Sequence, residues 1–146
     1  YTTDASGLAA TRSTFPNPNN HAILPEIISK EPLGPATRQG DDQWADIIRW
    51  VYNATVTAEE LGVTSSNVDS MKNSNNPEIL RMLGVEGSQG EELGLSKDWA
   101  YQIIKQVGNY SEIFERNIGT NTPIGLARGL NDLWTRGGLQ YSPPFR

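Results

Sequence analysis

The chain has 146 residues, room for one domain of ordinary size or a piece of a larger one, and at 36% hydrophobic and 20% charged it is wetter than an average globular protein without reaching disordered composition. Twelve Lys and Arg against 17 Asp and Glu give a net charge of -5, the wrong sign for holding a polyphosphate backbone, which argues against nucleic acid. With no Cys and one His, disulfide frameworks, thiolate zinc sites, Cys nucleophiles and His-based metal clusters are excluded, and no apolar run approaches the ~20 residues of a membrane span.

The chain opens at Tyr1 without Met or a basic-then-apolar leader, which reads as a processed product or a fragment. Tyr1 to Thr3 is a short stretch of strand formers, and Leu8 to Arg12 a short helix that Asp4 or Ser6 would cap. Phe15 to Asn20 is a turn by composition, and His21 to Ser29 reads as a strand that Pro25 confines to an edge or a bulge. Glu31 to Arg38, with Pro32 and Pro35, resists helix and reads as extended chain.

From Gly40 the apolar period changes to helical. Trp44, Ile47, Ile48, Val51, Thr55 and Ala58 follow Asp41 and Asp42, and Trp50, Ala54 and Leu61 beside that stripe predict an inner helix ending near Gly62. Short helices are expected at Val68 to Met71, at Pro77 to Leu83 behind Asn76, at Lys97 to Val107 behind Ser96, and at Tyr110 to Asn117. A last helix is expected from Thr122 to Arg136, with the Pro-rich Leu139 to Arg146 extended behind it.

Asp4 has two readings from spacing: a carboxylate projecting from a strand end into a cleft, or a helix N-cap, of which spacing favours the cap. The acidic pairs Asp41-Asp42, Glu59-Glu60 and Glu91-Glu92 are adjacent and do not converge; the first suits a helix N-terminus and the others solvated turns, which leaves a hydrolase built on Glu59 or Glu60 the weakest reading. Gly125 and Gly129 have the spacing of a close backbone approach, and the glycines between Gly84 and Gly94 lack the Lys-Ser/Thr ending of a phosphate loop. Asn53 and Asn109 fit the glycosylation pattern, the first discounted because it lies in a helix. His21 reads as a loop or strand-edge residue, and three of the four Trp as core rather than as a sugar-stacking cleft.

The strings Tyr1-Thr-Thr-Asp-Ala-Ser-Gly-Leu-Ala9, Leu24-Pro-Glu-Ile-Ile-Ser-Lys-Glu-Pro-Leu-Gly-Pro35, Gly40-Asp-Asp-Gln-Trp44, Lys105-Gln-Val-Gly-Asn-Tyr110 and Arg128-Gly-Leu-Asn-Asp-Leu-Trp134, closed by Gly137 to Arg146, resemble the C-terminal part of the general L-amino-acid-binding periplasmic proteins. These are the solute-binding subunits of polar amino-acid ABC transporters. The resemblance implies an α/β type II periplasmic binding protein fold, here incomplete and mostly helical with a few short strands near the N-terminus. It implies residues 1–29 as the tail of the second lobe, 30–38 as a hinge crossover strand carrying Pro32, Gly34, Pro35 and Arg38, and 39–146 as the helical C-terminal part of the first lobe.

It also brings Asp4 forward as the group that holds the α-ammonium of a bound amino acid, since such proteins use an Asp at the end of that second-lobe strand. The implied function is periplasmic capture of L-amino acids, polar and broad in range, for delivery to an inner-membrane ABC permease, with no catalysis, metal or cofactor. The family's carboxylate clamp lies upstream of Tyr1, so unpaired strand edges are expected to meet the missing N-terminal part or a second copy. The alternative is a self-standing helical structural or interaction module derived from that fold, without transport.

Overall fold

The computed structural model describes residues 1–146 and is helical, with α1 (Ala5–Ser13), α2 (Asp42–Glu60), α3 (Val68–Met71), α4 (Pro77–Met82), α5 (Gln89–Glu92), α6 (Trp99–Val107) and α7 (Tyr110–Asn117), plus short 3-10 turns at Pro18–Asn20, Gly129–Asn131 and Trp134–Arg136. The chain divides into two compact units, one of Tyr1–Pro35 with Phe114–Arg128, the other of Ala36–Ile113 with Gly129–Arg146.

In the first unit, Asp4 caps α1 and Ala9 is buried on it. Phe114 is buried with the Arg128 guanidinium 5.3 Å from its ring centre, and Leu126 N–H donates to the Ile118 carbonyl at 2.9 Å. His21 lies exposed in a loop, edge-on to Phe15 at 4.6 Å. Residues 1–3 and 21–29, expected as strands, form none. A ladder needs a partner backbone, and the chain lays none beside them, so Leu24, Ile27, Ile28 and Leu33 stay exposed.

The second unit is built on α2, whose 19 residues begin where Asp41 accepts from the Trp44 N–H at 3.2 Å. Residues Asn53 to Glu59 are buried without a break, so the last two turns of α2 are covered on every side, as the wide apolar stripe predicts for an inner helix. The core joins Ala54 and Ala58 of α2 to Val63, Val68, Ile79, Met82, Leu83, Trp99, Ala100, Ile104 and Phe145, with α6 packed on both α2 and α3. α4 starts as its sequence indicates, with Pro77 in first position and the Asn76 Oδ1 accepting from Glu78 N–H at 2.9 Å. α7 is set by a reciprocal capping box: Asn109 Oδ1 accepts from Glu112 N–H at 3.0 Å and Glu112 Oε2 from Asn109 N–H at 2.8 Å. The same Glu112 carboxylate accepts from Ser65 Oγ at 2.5 Å, which ties the loop after α2 to the start of α7.

Five expectations are corrected here. Thr122 to Arg136 is not a helix: Gly125 (φ +68°) and Gly129 (φ +51°) sit in the left-handed region, which an α-helix forbids, and the chain breaks into turns. Nor do these two glycines mark a close backbone approach, because a Cβ on Gly129 would meet nothing within 4 Å and one on Gly125 would meet only the Thr122 carbonyl at 3.9 Å. Glu59 lies not in a solvated turn but in the last turn of α2, its side chain 3% exposed and paired with Arg136 at 2.7 Å. Asn109 is buried, and its amide donates to the Val63 carbonyl at 2.9 Å, which removes it as a glycosylation acceptor. Among the tryptophans, Trp99 and Trp50 join the core, whereas Trp44 and Trp134 are about half exposed.

Gly84 lies where α4 turns back, at φ +71°, and a Cβ there would come 2.0 Å from the Lys97 carbonyl oxygen. Both the backbone conformation and a rigid neighbour oppose a side chain, so Gly84→Ala is expected to destabilise by ~1–3 kcal/mol in urea unfolding. A midpoint equal to that of the parent would show that the loop yields.

On α3, Asp69 accepts from Lys105 Nζ at 2.6 Å and from Tyr101 Oη at 2.9 Å, while Lys72 lies 3.3 Å over the Tyr101 ring. The Lys105 ammonium, then the Tyr101 hydroxyl, hold the Asp69 carboxyl below its ordinary range, and Asp69 in turn raises Lys105. The Asp69 contribution to stability is therefore present above the ordinary carboxyl range and lost as pH falls through the depressed value. That of Lys105 is lost as pH rises through its raised value. Asp69→Asn should make the acid limb of a stability profile shallower, and an unchanged limb would rule the pair out as a source of acid sensitivity.

Candidate functional site

Asp4 is the sequence-predicted ligand residue, and the structure shows it in its capping role, with no strand before it. Its backbone (φ -59°, ψ 153°) stands outside the helix, which turns the carboxylate back over the first turn of α1. Oδ2 accepts from the Gly7 N–H at 2.8 Å and from Ser6 Oγ at 2.5 Å, and Oδ1 from Thr3 Oγ1 at 3.2 Å. The Ser6 hydroxyl, followed by the Gly7 amide, holds the carboxyl below its ordinary range, so the group is anionic at neutral pH. Oδ2 does the capping work. A carboxylate has about four acceptor positions, and Oδ1, with one longer bond, keeps capacity for a cationic donor. Gly7 is the residue that leaves room: a Cβ there would stand 3.1 Å from Oδ1 and 3.2 Å from Oδ2.

The predicted crossover residues Pro32, Gly34, Pro35 and Arg38 are all exposed, in a segment without helix or strand that ends where the Arg38 carbonyl accepts from Asp41 N–H at 3.2 Å. The division between the two compact units falls within this segment, after Pro35.

Sequence reasoning missed a second feature, in the second unit. The chain end returns across α2, with a parallel bridge between Leu133 and Gln140 and a buried bond from Thr57 Oγ1 to Ser142 Oγ at 2.8 Å. Tyr52 Oη donates to Gln140 Oε1 in the same arrangement. This return shapes a groove of about 190 Å³ lined by Thr57, Glu60, Glu78, Trp134, Tyr141 and Pro143. The only legible signal was the aromatic and proline content of the tail, which periodicity cannot place.

No group of His, Cys, Asp and Glu side chains is arranged to hold a metal ion, and no helix is long and apolar enough to cross a membrane.

The fold has a close counterpart in a solved structure. An ABC transporter periplasmic binding protein from Brucella ovis with glutathione bound superposes with a TM-score of 0.95 at 57% identity, over all of this chain and 46% of that one. The chain thus carries part of a periplasmic binding protein fold, and along its whole length it is similar to amino-acid-binding periplasmic proteins of ABC transporters. Its curated relatives include the general L-amino acid-binding periplasmic protein AapJ of Rhizobium johnstonii, 62% identical over 100% of this chain and 43% of AapJ. Another is the glutamate/glutamine/aspartate/asparagine-binding protein BztA of Rhodobacter capsulatus, 58% identical over 100% of this chain and 44% of BztA. The chain therefore spans less than half the length of these relatives. No protein-family model matches it.

Proposed function

We propose that this chain forms part of a periplasmic receptor that captures L-amino acids for uptake through an inner-membrane ABC permease, making and breaking no covalent bond. The observation that carries the reading is similarity along the whole chain to AapJ and BztA, at 62% and 58% identity. Within the chain, Asp4 supplies the chemistry. An anionic carboxylate with a free acceptor direction holds an α-ammonium by a charge-assisted hydrogen bond, and it selects α-amino acids over plain carboxylates. Free glutathione carries the same α-amino-acid head on its glutamyl end, so the class of ligand is defined by that head rather than by one side chain. Pro32, Gly34, Pro35 and Arg38 act as the crossover of the complete receptor, a role their exposed, irregular backbone suits. The relatives are receptors, which weighs against a self-standing helical module without transport.

Calorimetric titration of the native-length protein with the twenty amino acids and glutathione tests this directly. Saturable heat with polar amino acids is expected. Absence of heat with every compound would refute the proposal.

A further inference from the structure

The geometry points to the groove on the second unit as a docking site for one basic side chain, arginine above all, presented by a partner protein. Its floor is the C-terminal end of α2, at Thr57, Glu60 and Leu61, where the last carbonyls of a 19-residue helix concentrate partial negative charge. Two carboxylates, Glu60 at the end of α2 and Glu78 in the first turn of α4, line it, and no Lys or Arg does. Arg136, in the same turn as Trp134, is paired with Glu59 at 2.7 Å and Asp132 at 3.4 Å.

The walls are aromatic. Trp134 and Tyr141 meet edge-on at 5.8 Å and 72°, yet remain 51% and 60% exposed. The indole is not loose, since its Nε1–H donates to Glu60 Oε1 at 3.2 Å. Two half-exposed aromatic rings, one of them hydrogen-bonded to Glu60, beside two carboxylates and a helix C-terminus favour a planar cation on three separate physical grounds. The volume of about 190 Å³ is enough for a guanidinium and the end of its stem. This inference is independent of amino-acid capture, since Asp4 and the groove belong to different compact units.

The test follows the Trp134 indole N–H by two-dimensional NMR of the native-length protein, identified by its loss in Trp134→Phe, during titration with Ac-Gly-Arg-Gly-NH2 and its neutral citrulline analogue. The Arg peptide is expected to shift the indole signal saturably and to bind about tenfold more tightly than the citrulline peptide, the scale of one charge-assisted hydrogen bond. Glu60→Gln, which keeps an acceptor for the indole, and Glu78→Gln should each weaken the Arg peptide severalfold without loss of fold. An unmoved indole signal, equal responses to the two peptides, or indifference to both substitutions would overturn the proposal. Amino-acid binding by the same samples, measured by calorimetry, reports separately on the receptor reading.

Discussion

Phe145→Ala is expected to lower the unfolding free energy by ~3–5 kcal/mol, the usual loss when a buried Phe is truncated, and to shift the urea midpoint accordingly. Phe145 lies in a segment without helix or strand, yet it is 2% exposed. Its ring lies edge-on to Trp50 at 5.3 Å and is stacked with Trp99 at 6.2 Å, so it closes the gap between α2 and α6. Arg81 Nε fastens the backbone behind it, donating to the Phe145 carbonyl at 3.1 Å. Truncation leaves either a cavity between two tryptophans or an undocked tail, and both expose the same apolar surface. Phe145→Leu, which refills most of the volume, should cost clearly less. A loss under ~1 kcal/mol for Phe145→Ala would mean that the tail contributes little to the core.

Asp4→Asn is expected to weaken amino-acid binding by the receptor by about ten- to a hundredfold while leaving thermal stability close to that of the parent. The choice of substitution separates the capping role of this residue from the proposed ligand-binding one. Asparagine is as good an N-cap as aspartate, so the bonds from Gly7 N–H and Ser6 Oγ can be kept. The charge that attracts an ammonium is lost. Asp4→Ala removes both and should reduce stability as well as affinity. Equal affinity of Asp4→Asn and the parent would confine Asp4 to capping.

The helices were legible wherever a local signal was self-sufficient. Asn76-Pro77 marked α4, the wide stripe around Ala54 marked a covered α2, and Asp4 marked α1, because caps and periodicity are written within a few residues. The last expected helix failed because apolar spacing from Leu126 to Trp134 is helical while Gly125 and Gly129 adopt left-handed backbone, and spacing alone cannot reveal φ. The strands at 1–3 and 21–29 failed for a different reason: their residues favour β structure, but a strand exists only beside another. Glu59 was misread because an adjacent acidic pair gives no hint that Arg136 arrives from the far end of the chain. The candidate ligand residue was legible through the residue strings around Asp4, and spacing alone favoured its capping role. The groove was legible only as aromatic and proline content in the tail, since its walls come from residues separated by more than seventy positions, as in the bond between Trp134 and Glu60.

The measurement that tests the account most directly is calorimetric titration of the native-length protein with L-glutamate and L-glutamine, each beside an analogue that lacks only the α-amine, glutarate and glutaramate. The account predicts saturable heat with the amino acids and at least tenfold weaker binding of the analogues, because an anionic Asp4 gains nothing from a ligand without an ammonium. Equal binding of the amine-free analogues would contradict it.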